Sequence, residues 1–311
     1  MTAERDEAVT SREGAHHQSS IETILDGCSW QYYLNNIKKI PTPPKPHSLM
    51  GTAYHSAIEA HELSRMYGNP TLSLSDMISI ADQEILKQSE ALTDEMMVDK
   101  DGNILTVDNL LDMCRFALNN WYNEKTKDGI SHRDWLLRLT PVAIEPYFKL
   151  QLVDDALPIG GWIDGVYKDE EGNYLLVDQK TAGDFTRWSY DGNGHRYQAT
   201  MYGVALVLSE DFPEVTELDK INMHYLVSRT RTGNKNLEKA RHVIVKPELD
   251  DVALLGERIR QVEFIIKNNL YAPNPSWFLC KPRFCSFYNE CQVTGNLRKA
   301  PIDIIRRYKD E

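Results

Sequence analysis

Apolar positions recur at helical spacing through most of the first 130 residues of this 311-residue chain, and after Thr140 they switch to the shorter rhythm of β-strands. The chain opens with a polar stretch, residues 1–18, that carries no apolar periodicity and reads as a disordered tail. Ser19-Ser20-Ile21-Glu22 fits a capping box, so order is expected from Ser19, leaving His16 and His17 in the tail without a role. The helix that follows is expected to reach about Ile40, where Pro41-Thr42-Pro43-Pro44-Lys45-Pro46 stops it. Further helices are predicted over 48–66, 74–92 and 107–127, the last two separated by the turn Asp99-Lys100-Asp101-Gly102-Asn103.

In the second half, strands are predicted over 142–153, 159–167 and 174–178, with Asp169-Glu170-Glu171-Gly172-Asn173 turning between the last two, a three-stranded meander. A helix follows over 195–208, then strands at 221–227 and 242–245 and a long helix over 247–268. The last 40 residues read as loop, and no internal repeat is visible.

Charge narrows the function classes. With 35 basic against 46 acidic residues the net charge is -11, which argues against a general positive coat around nucleic acid and leaves room only for a local basic groove. No apolar run approaches the ~18 residues that span a bilayer. The polar N-terminus has no signal-peptide core, so a cytoplasmic protein without a membrane partner is expected. Five cysteines, an odd number in a reducing compartment, favour metal or cluster ligation over disulfides.

The stretch richest in chemistry is Gly160-Gly161-Trp162-Ile163-Asp164-Gly165, followed by Leu175-Leu176-Val177-Asp178-Gln179-Lys180. In a strand, residues i and i+2 share a face, so Asp178 and Lys180 point one way and Gln179 the other. Two carboxylates and an ammonium on one surface suit metal-assisted phosphodiester hydrolysis. Mg²⁺ takes hard oxygen ligands and commonly one or two protein carboxylates, which Asp164 and Asp178 would supply. Lys180 would stabilise charge on the attacking or leaving oxygens. His55, in Gly51-Thr52-Ala53-Tyr54-His55 with Glu59 one turn on, would add a nitrogen ligand that Mn²⁺ tolerates better than Mg²⁺. Gln198 and Tyr202 lie one helical turn apart and face one way.

In this order and spacing, Gly51 to His55, Gly161 to Asp164, Asp178 to Lys180 and Gln198 to Tyr202 resemble the motifs of the RecB-like nucleases of the PD-(D/E)XK superfamily. The resemblance implies an α/β restriction-endonuclease-like core with a mixed central sheet and a helical insertion. It implies a single nuclease domain over 19–311, divided into an N-terminal helix (19–49), a helical part (50–130), a nuclease core (140–246) and a C-terminal helix with cysteines (247–311). Asp164, Asp178, Lys180, Gln198 and Tyr202 would be catalytic, with Gln198 and Tyr202 positioning the strand. His55, Asp164, Asp178 and the backbone carbonyl of Gln179 would bind Mg²⁺ or Mn²⁺. The implied activity is metal-dependent exonucleolytic cleavage of single-stranded DNA from a free end, in DNA recombination, repair, phage replication or CRISPR adaptation. A structure-specific endonuclease and a non-catalytic nucleic-acid-binding relative are the alternatives. No helicase motif is present, so a helicase, recombination or CRISPR partner would be a separate chain.

Cys28 in the first helix and the trio Cys280, Cys285 and Cys291 resemble the iron–sulfur staple of the AddB nuclease domain and the CRISPR-associated RecB-like exonucleases, which implies a [4Fe-4S] cluster joining the N- and C-terminal segments. A Cys₄ zinc site takes the same ligands. Cys114 reads as a buried small hydrophobe. For nucleic-acid contact, Arg229, Arg231, Lys235, Lys239 and Arg241 surround a predicted hairpin loop that would either track phosphates or stand as a solvated tip. Trp188, Tyr190 and Tyr197 would either stack on unpaired bases or pack internally.

Overall fold

The computed structural model describes residues 14–42, 45–90, 105–190, 195–231, 237–281, 285–288 and 291. Residues 1–13 of the expected tail, the predicted turn at 99–103 and Lys235 lie outside the described residues. The strands are β1 (Thr140–Ile144), β2 (Tyr147–Leu150), β3 (Ile159–Trp162), β4 (Gly165–Lys168), β5 (Tyr174–Ala182), β6 (Asn222–Arg229) and β7 (Ala240–Val245). The helices are α1 (Gln18–Leu25), α2 (Ser29–Tyr32), α3 (Pro46–Met66), α4 (Leu74–Ser89), α5 (Val107–Asn123), α6 (His132–Leu136), α7 (Arg196–Val207) and α8 (Leu249–Lys267).

Five strands form a sheet in the order β1-β4-β5-β6-β7, while β2 and β3 pair as a separate ribbon. Among the described strands only β5 and β6 pair in parallel, and α7 is the crossover such a pair requires. Alternation along β5 sends Leu175 and Val177 into a core with α3, α4 and α5, and Leu176 into a second core with α1, α7 and α8. Both faces of the sheet are thus covered, which explains why β5 and β6 read as nearly continuous apolar runs. This is the expected α/β arrangement of a mixed central sheet with flanking helices.

Three expectations change. The predicted strand over 142–153 is two strands, because Glu145 adopts a left-handed backbone (φ 53°) and Pro146 contributes no N–H to a ladder. The strand over 159–167 likewise breaks at Ile163-Asp164. The two corners hold each other: Glu145 N–H donates to the Asp164 carbonyl at 3.2 Å and Ile163 N–H to the Pro146 carbonyl at 3.1 Å. The helix expected over 19–40 is divided into α1, α2 and a π-helical turn, Tyr33–Ile37. It breaks at Gly27, where a Cβ would sit 2.9 Å from the Thr23 carbonyl oxygen, and Cys28 is extended as the N-cap of α2.

Order also begins before Ser19. His16 is buried, its Nε2 lies 2.7 Å from Glu263 Oε1 on α8, its N–H donates to Pro158 and its carbonyl accepts from Gly160 N–H. The N-cap of α1 is His17 and caps without its side chain, so the expected capping box at Ser19 does not form. The tail expectation fails here because a polar residue can be buried by a partner 247 positions away, which no local pattern reports.

Candidate active site

Register builds the site. Gly165 pairs with Val177 across antiparallel β4 and β5, so one step outward Asp164 comes level with Asp178. Asp178 and Lys180 share a face and form an ion pair, while Gln179 points the other way and accepts from Trp121 Nε1 of α5 at 3.0 Å. On the Asp178 side, α7 presents Gln198, whose Nε2 donates to Asp178 Oδ1 at 3.0 Å and to the Tyr202 hydroxyl at 3.1 Å. From α3, His55 Nδ1 lies 3.3 Å from Asp164 Oδ2, which also accepts the Gln179 backbone N–H at 2.7 Å.

The two carboxylates are tuned apart. Asp178 is 1% exposed, and burial pushes its pKa up to about 6 against the opposing pull of the Lys180 ammonium. Burial acts the same way on Asp164, but His55, Lys180 and the Gln179 N–H outweigh it and hold Asp164 below the usual carboxylate range. For His55 and Lys180 burial pulls the pKa down, and the same two aspartates outweigh it and raise both. The result is a compact group of two carboxylates, an imidazole and an ammonium. Its donor set, an imidazole nitrogen and carboxylate oxygens, fits a hard divalent cation.

A cleft of about 440 Å³ opens beside this group, lined by Ser48, Gly51, Thr52, His55, Ser56, Glu59 and Glu145. A side chain at Gly51 would meet nothing within 4 Å, so the motif glycine faces open space at the approach to His55. Glu145 is the residue the sequence reading passed over. One ligand atom from each of His55, Glu145 and Asp164 lies within 4.8 Å of the others. The available signal was Pro146, which demotes a continuous strand over 142–153 and marks its predecessor as a corner residue.

The basic residues go elsewhere. Arg241 pairs with Glu238 and donates to the carbonyls of Trp188 at 2.6 Å and Phe185 at 3.3 Å. Lys239 pairs with Glu124, and Arg229 donates to the Glu238 carbonyl at 3.1 Å. Arg231 lies against Gly183. Arg229, Lys239 and Arg241 thus cross-link a folded corner through acidic or carbonyl partners. The aromatics follow suit: Trp188 is buried and stacks on His195 at 3.8 Å, Tyr190 donates to Glu238 and Tyr197 lies under Arg258.

Cys28, Cys280, Cys285 and Cys291 are free thiols, two buried and two half-buried. Burial raises the pKa of Cys285, and Cys28, Cys280 and Cys291 each raise it further as neighbouring thiolates. Cys114 is fully buried on α5, as expected of a small hydrophobe.

No family model matches the chain, and no curated protein matches it. Among solved structures it is similar to one from Eubacterium rectale named "Putative exonuclease", with a TM-score of 0.50 at 10% identity, covering 96% of this chain and 94% of that one. A second similarity, to SSO0001, has a TM-score of 0.32 at 10% identity over 86% of this chain and 94% of the other. The first likeness establishes a shared fold along nearly the full length of both chains. Among the described residues, no helix is long and apolar enough to cross a membrane.

Proposed function

We propose that the chain is a PD-(D/E)XK-type, RecB-like deoxyribonuclease that hydrolyses phosphodiester bonds with a divalent cation and degrades single-stranded DNA from a free end. The observation that carries this reading is the meeting of Asp164, Asp178, Lys180 and His55, contributed by three separate elements, with His55 also lining the adjoining cleft. The fold shared with a protein named as an exonuclease supports it.

His55, Asp164 and Asp178, with the Gln179 carbonyl, would hold Mg²⁺ or Mn²⁺. Bound there, the ion supplies Lewis-acid polarisation of the phosphate and a water acidic enough to react at neutral pH. The chain's own residues do the rest. Lys180 is kept protonated by the flanking aspartates and offers its ammonium to charge developing on the reacting oxygens. Gln198 fixes the Asp178 carboxylate from behind and, through Tyr202, is itself fixed, so the acid enters the reaction without reorganising. The four cysteines would hold a [4Fe-4S] cluster, with zinc the alternative occupant.

Digestion of end-labelled single strands, blunt duplexes and covalently closed circles with Mg²⁺ or Mn²⁺ tests the reading. Rapid loss of single strands, slower loss of blunt duplex and intact circles are expected. Nicking of closed circles would make the protein an endonuclease, and no cleavage with stable binding would make it a non-catalytic relative.

A further inference from the structure

We propose that the cavity between α1, β3 and α7 is the subsite for the nucleotide beside the scissile phosphate, where an unpaired base lies against Trp162. The inference rests on the nuclease reading above and gives a role to Trp162, which that reading leaves without one.

Two open cavities adjoin residues of the candidate active site, and their linings differ in charge. The cleft on α3 is walled by Glu59 and Glu145 as well as His55, which suits a cation and repels phosphate. The other, of about 390 Å³, is lined by the first turn of α1, by Gly160, Gly161 and Trp162 of β3, and by Met201 and Tyr202 of α7, with no acid among its described lining residues. Its size falls within the ~300–1,000 Å³ usual for small-molecule sites. On a chain of net charge -11, this is the wall that can receive a polyanion. It also leads to both carboxylates: the Tyr202 hydroxyl accepts from Gln198, which holds Asp178, and Trp162 lies two residues before Asp164.

The edge of β3 is open at this point. Ile163 N–H donates to the Pro146 carbonyl on the β2 side, so by alternation the N–H groups of Gly160 and Trp162 point to the opposite edge. The His16 carbonyl accepts the first at 2.9 Å, the chain then turns away at His17 into α1, and the Trp162 N–H remains beside the cavity as a donor for a phosphate or base oxygen. The Trp162 ring is half-buried and tilted 57° against Tyr147 at 5.0 Å, so its position is fixed before a base arrives. Stacking on such a ring accepts any base, since every base has a π-face. A paired base already has its faces covered by its neighbours in the duplex, so the subsite selects single strands.

The test is binding of a short fluorescein-labelled oligothymidylate, and of an all-abasic strand with the same phosphates, to the full-length protein without divalent ions, read by anisotropy for wild type, W162F, W162A and S19E. W162A should weaken oligothymidylate binding about tenfold, the order of one base–aromatic stack, and W162F should weaken it less. The abasic strand should bind wild type and W162A alike, because it has no base to stack. Ser19 is exposed on the first turn of α1, and a carboxylate there should weaken both strands about fivefold, as one like charge beside a phosphate does in water. Equal loss of both strands in W162A makes Trp162 a structural residue and overturns the subsite. Wild-type binding of oligothymidylate by W162A overturns it as well, as does wild-type binding by S19E should W162A fail to fold. Cleavage of single strands by the wild-type protein alongside any of these results leaves the nuclease reading standing. The expected binding pattern in a protein that cuts no strand with Mg²⁺ or Mn²⁺ supports the base site and overturns the nuclease reading. Failure of the wild-type protein to bind oligothymidylate overturns both.

Discussion

Asp178 is held from two directions, by Gln198 from α7 and by Lys180 from its own strand, and this makes the effects of neighbouring substitutions unequal. Asp164→Ala and Asp178→Ala should each abolish cleavage with circular dichroism and melting temperature little changed, because each removes a carboxylate from the reacting centre. Lys180→Ala should cost on the order of 10²–10³ in kcat, the usual loss of one electrostatic stabiliser. Wild-type turnover in purified Asp178→Ala would remove the assignment. The shared face of Asp178 and Lys180, with Gln179 opposite, was legible in the sequence because the two-residue period of a strand is local, and the pairing of Gln198 with Tyr202 because helical neighbours are local too. Glu145 was not legible, since its position depends on a left-handed turn and on hydrogen bonds to a corner 19 residues later. For Arg229, Lys239 and Arg241 composition showed the charge but not the acidic and carbonyl groups that fold onto it.

At the scale of elements, the short helix α6 is pinned to the sheet by aromatic and histidine contacts. Trp135 stacks on His224 of β6 at 4.9 Å and meets His242 of β7 edge-on at 4.5 Å, while the two imidazoles share a hydrogen bond of 2.9 Å. His132 lies 3.3 Å from the Val227 carbonyl. Burial lowers His132 and His224 to about 3 and His242 to about 4, so all three are neutral in the native state at neutral pH. The sign follows from the unfolded chain, where they titrate near 6.5. Above that pH they contribute nothing, and below it the unfolded state takes up protons that the native state refuses. Stability should therefore fall as pH drops from about 6.5 toward 4, by up to about 1.4 kcal/mol per pH unit for each histidine. Urea unfolding of wild type and H224Q between pH 7.5 and 5 measures this, and a flat wild-type profile contradicts it.

The C-terminal end of α3 carries a buried acid. Glu62 is 1% exposed, accepts from the Tyr167 hydroxyl at 3.0 Å, pairs with Arg65 and lies 2.9 Å from His61 Nδ1. Arg65 in turn donates to the carbonyls of Leu136 and Leu139 at 2.9 and 2.7 Å, joining α3 to the segment that leads into β1. Glu62→Ala leaves a buried guanidinium uncompensated and should cost about 3–5 kcal/mol in urea denaturation. Helix 48–66 was legible from its apolar stripe, but this network was not. A charged residue on a predicted helix reads as solvated until its partner is seen.

For the whole molecule, the decisive ties run between chain ends. Ser29 Oγ donates to the Ala272 carbonyl and accepts from Ala272 N–H, Asn274 donates to the Gly27 carbonyl, and Arg258 pairs with Asp26. Cys28 is at the centre of this seam, beside the C-terminal trio. A cluster or metal at the four cysteines would lock it, and assembling such a site contributes on the order of 10 kcal/mol to folding in zinc-type cases. Cys28→Ser should therefore lose the bound metal and open both ends of the seam to protease, whereas Cys114→Ser should keep the metal. Iron, sulfide and zinc analysis of anaerobically purified protein identifies the occupant: about four irons per chain for the cluster, one zinc for the alternative, and neither if the four thiols are merely neighbours.

The seam also sets a timetable for synthesis. Ser29 and its partner Ala272 are 243 positions apart. At roughly 5–20 residues per second, α1 and α2 emerge from the ribosome about 12–50 s before the segment that receives them exists. Helices α3, α4 and α5 pack largely on one another and can assemble during that interval, but Ile21 and Ile24 have their apolar partners on α8 still to come. The nascent chain thus leaves the apolar side of α1 uncovered until α8 has been made. Burial of α1 waits for α8, so a segment translated late is the one that lets an earlier one pack.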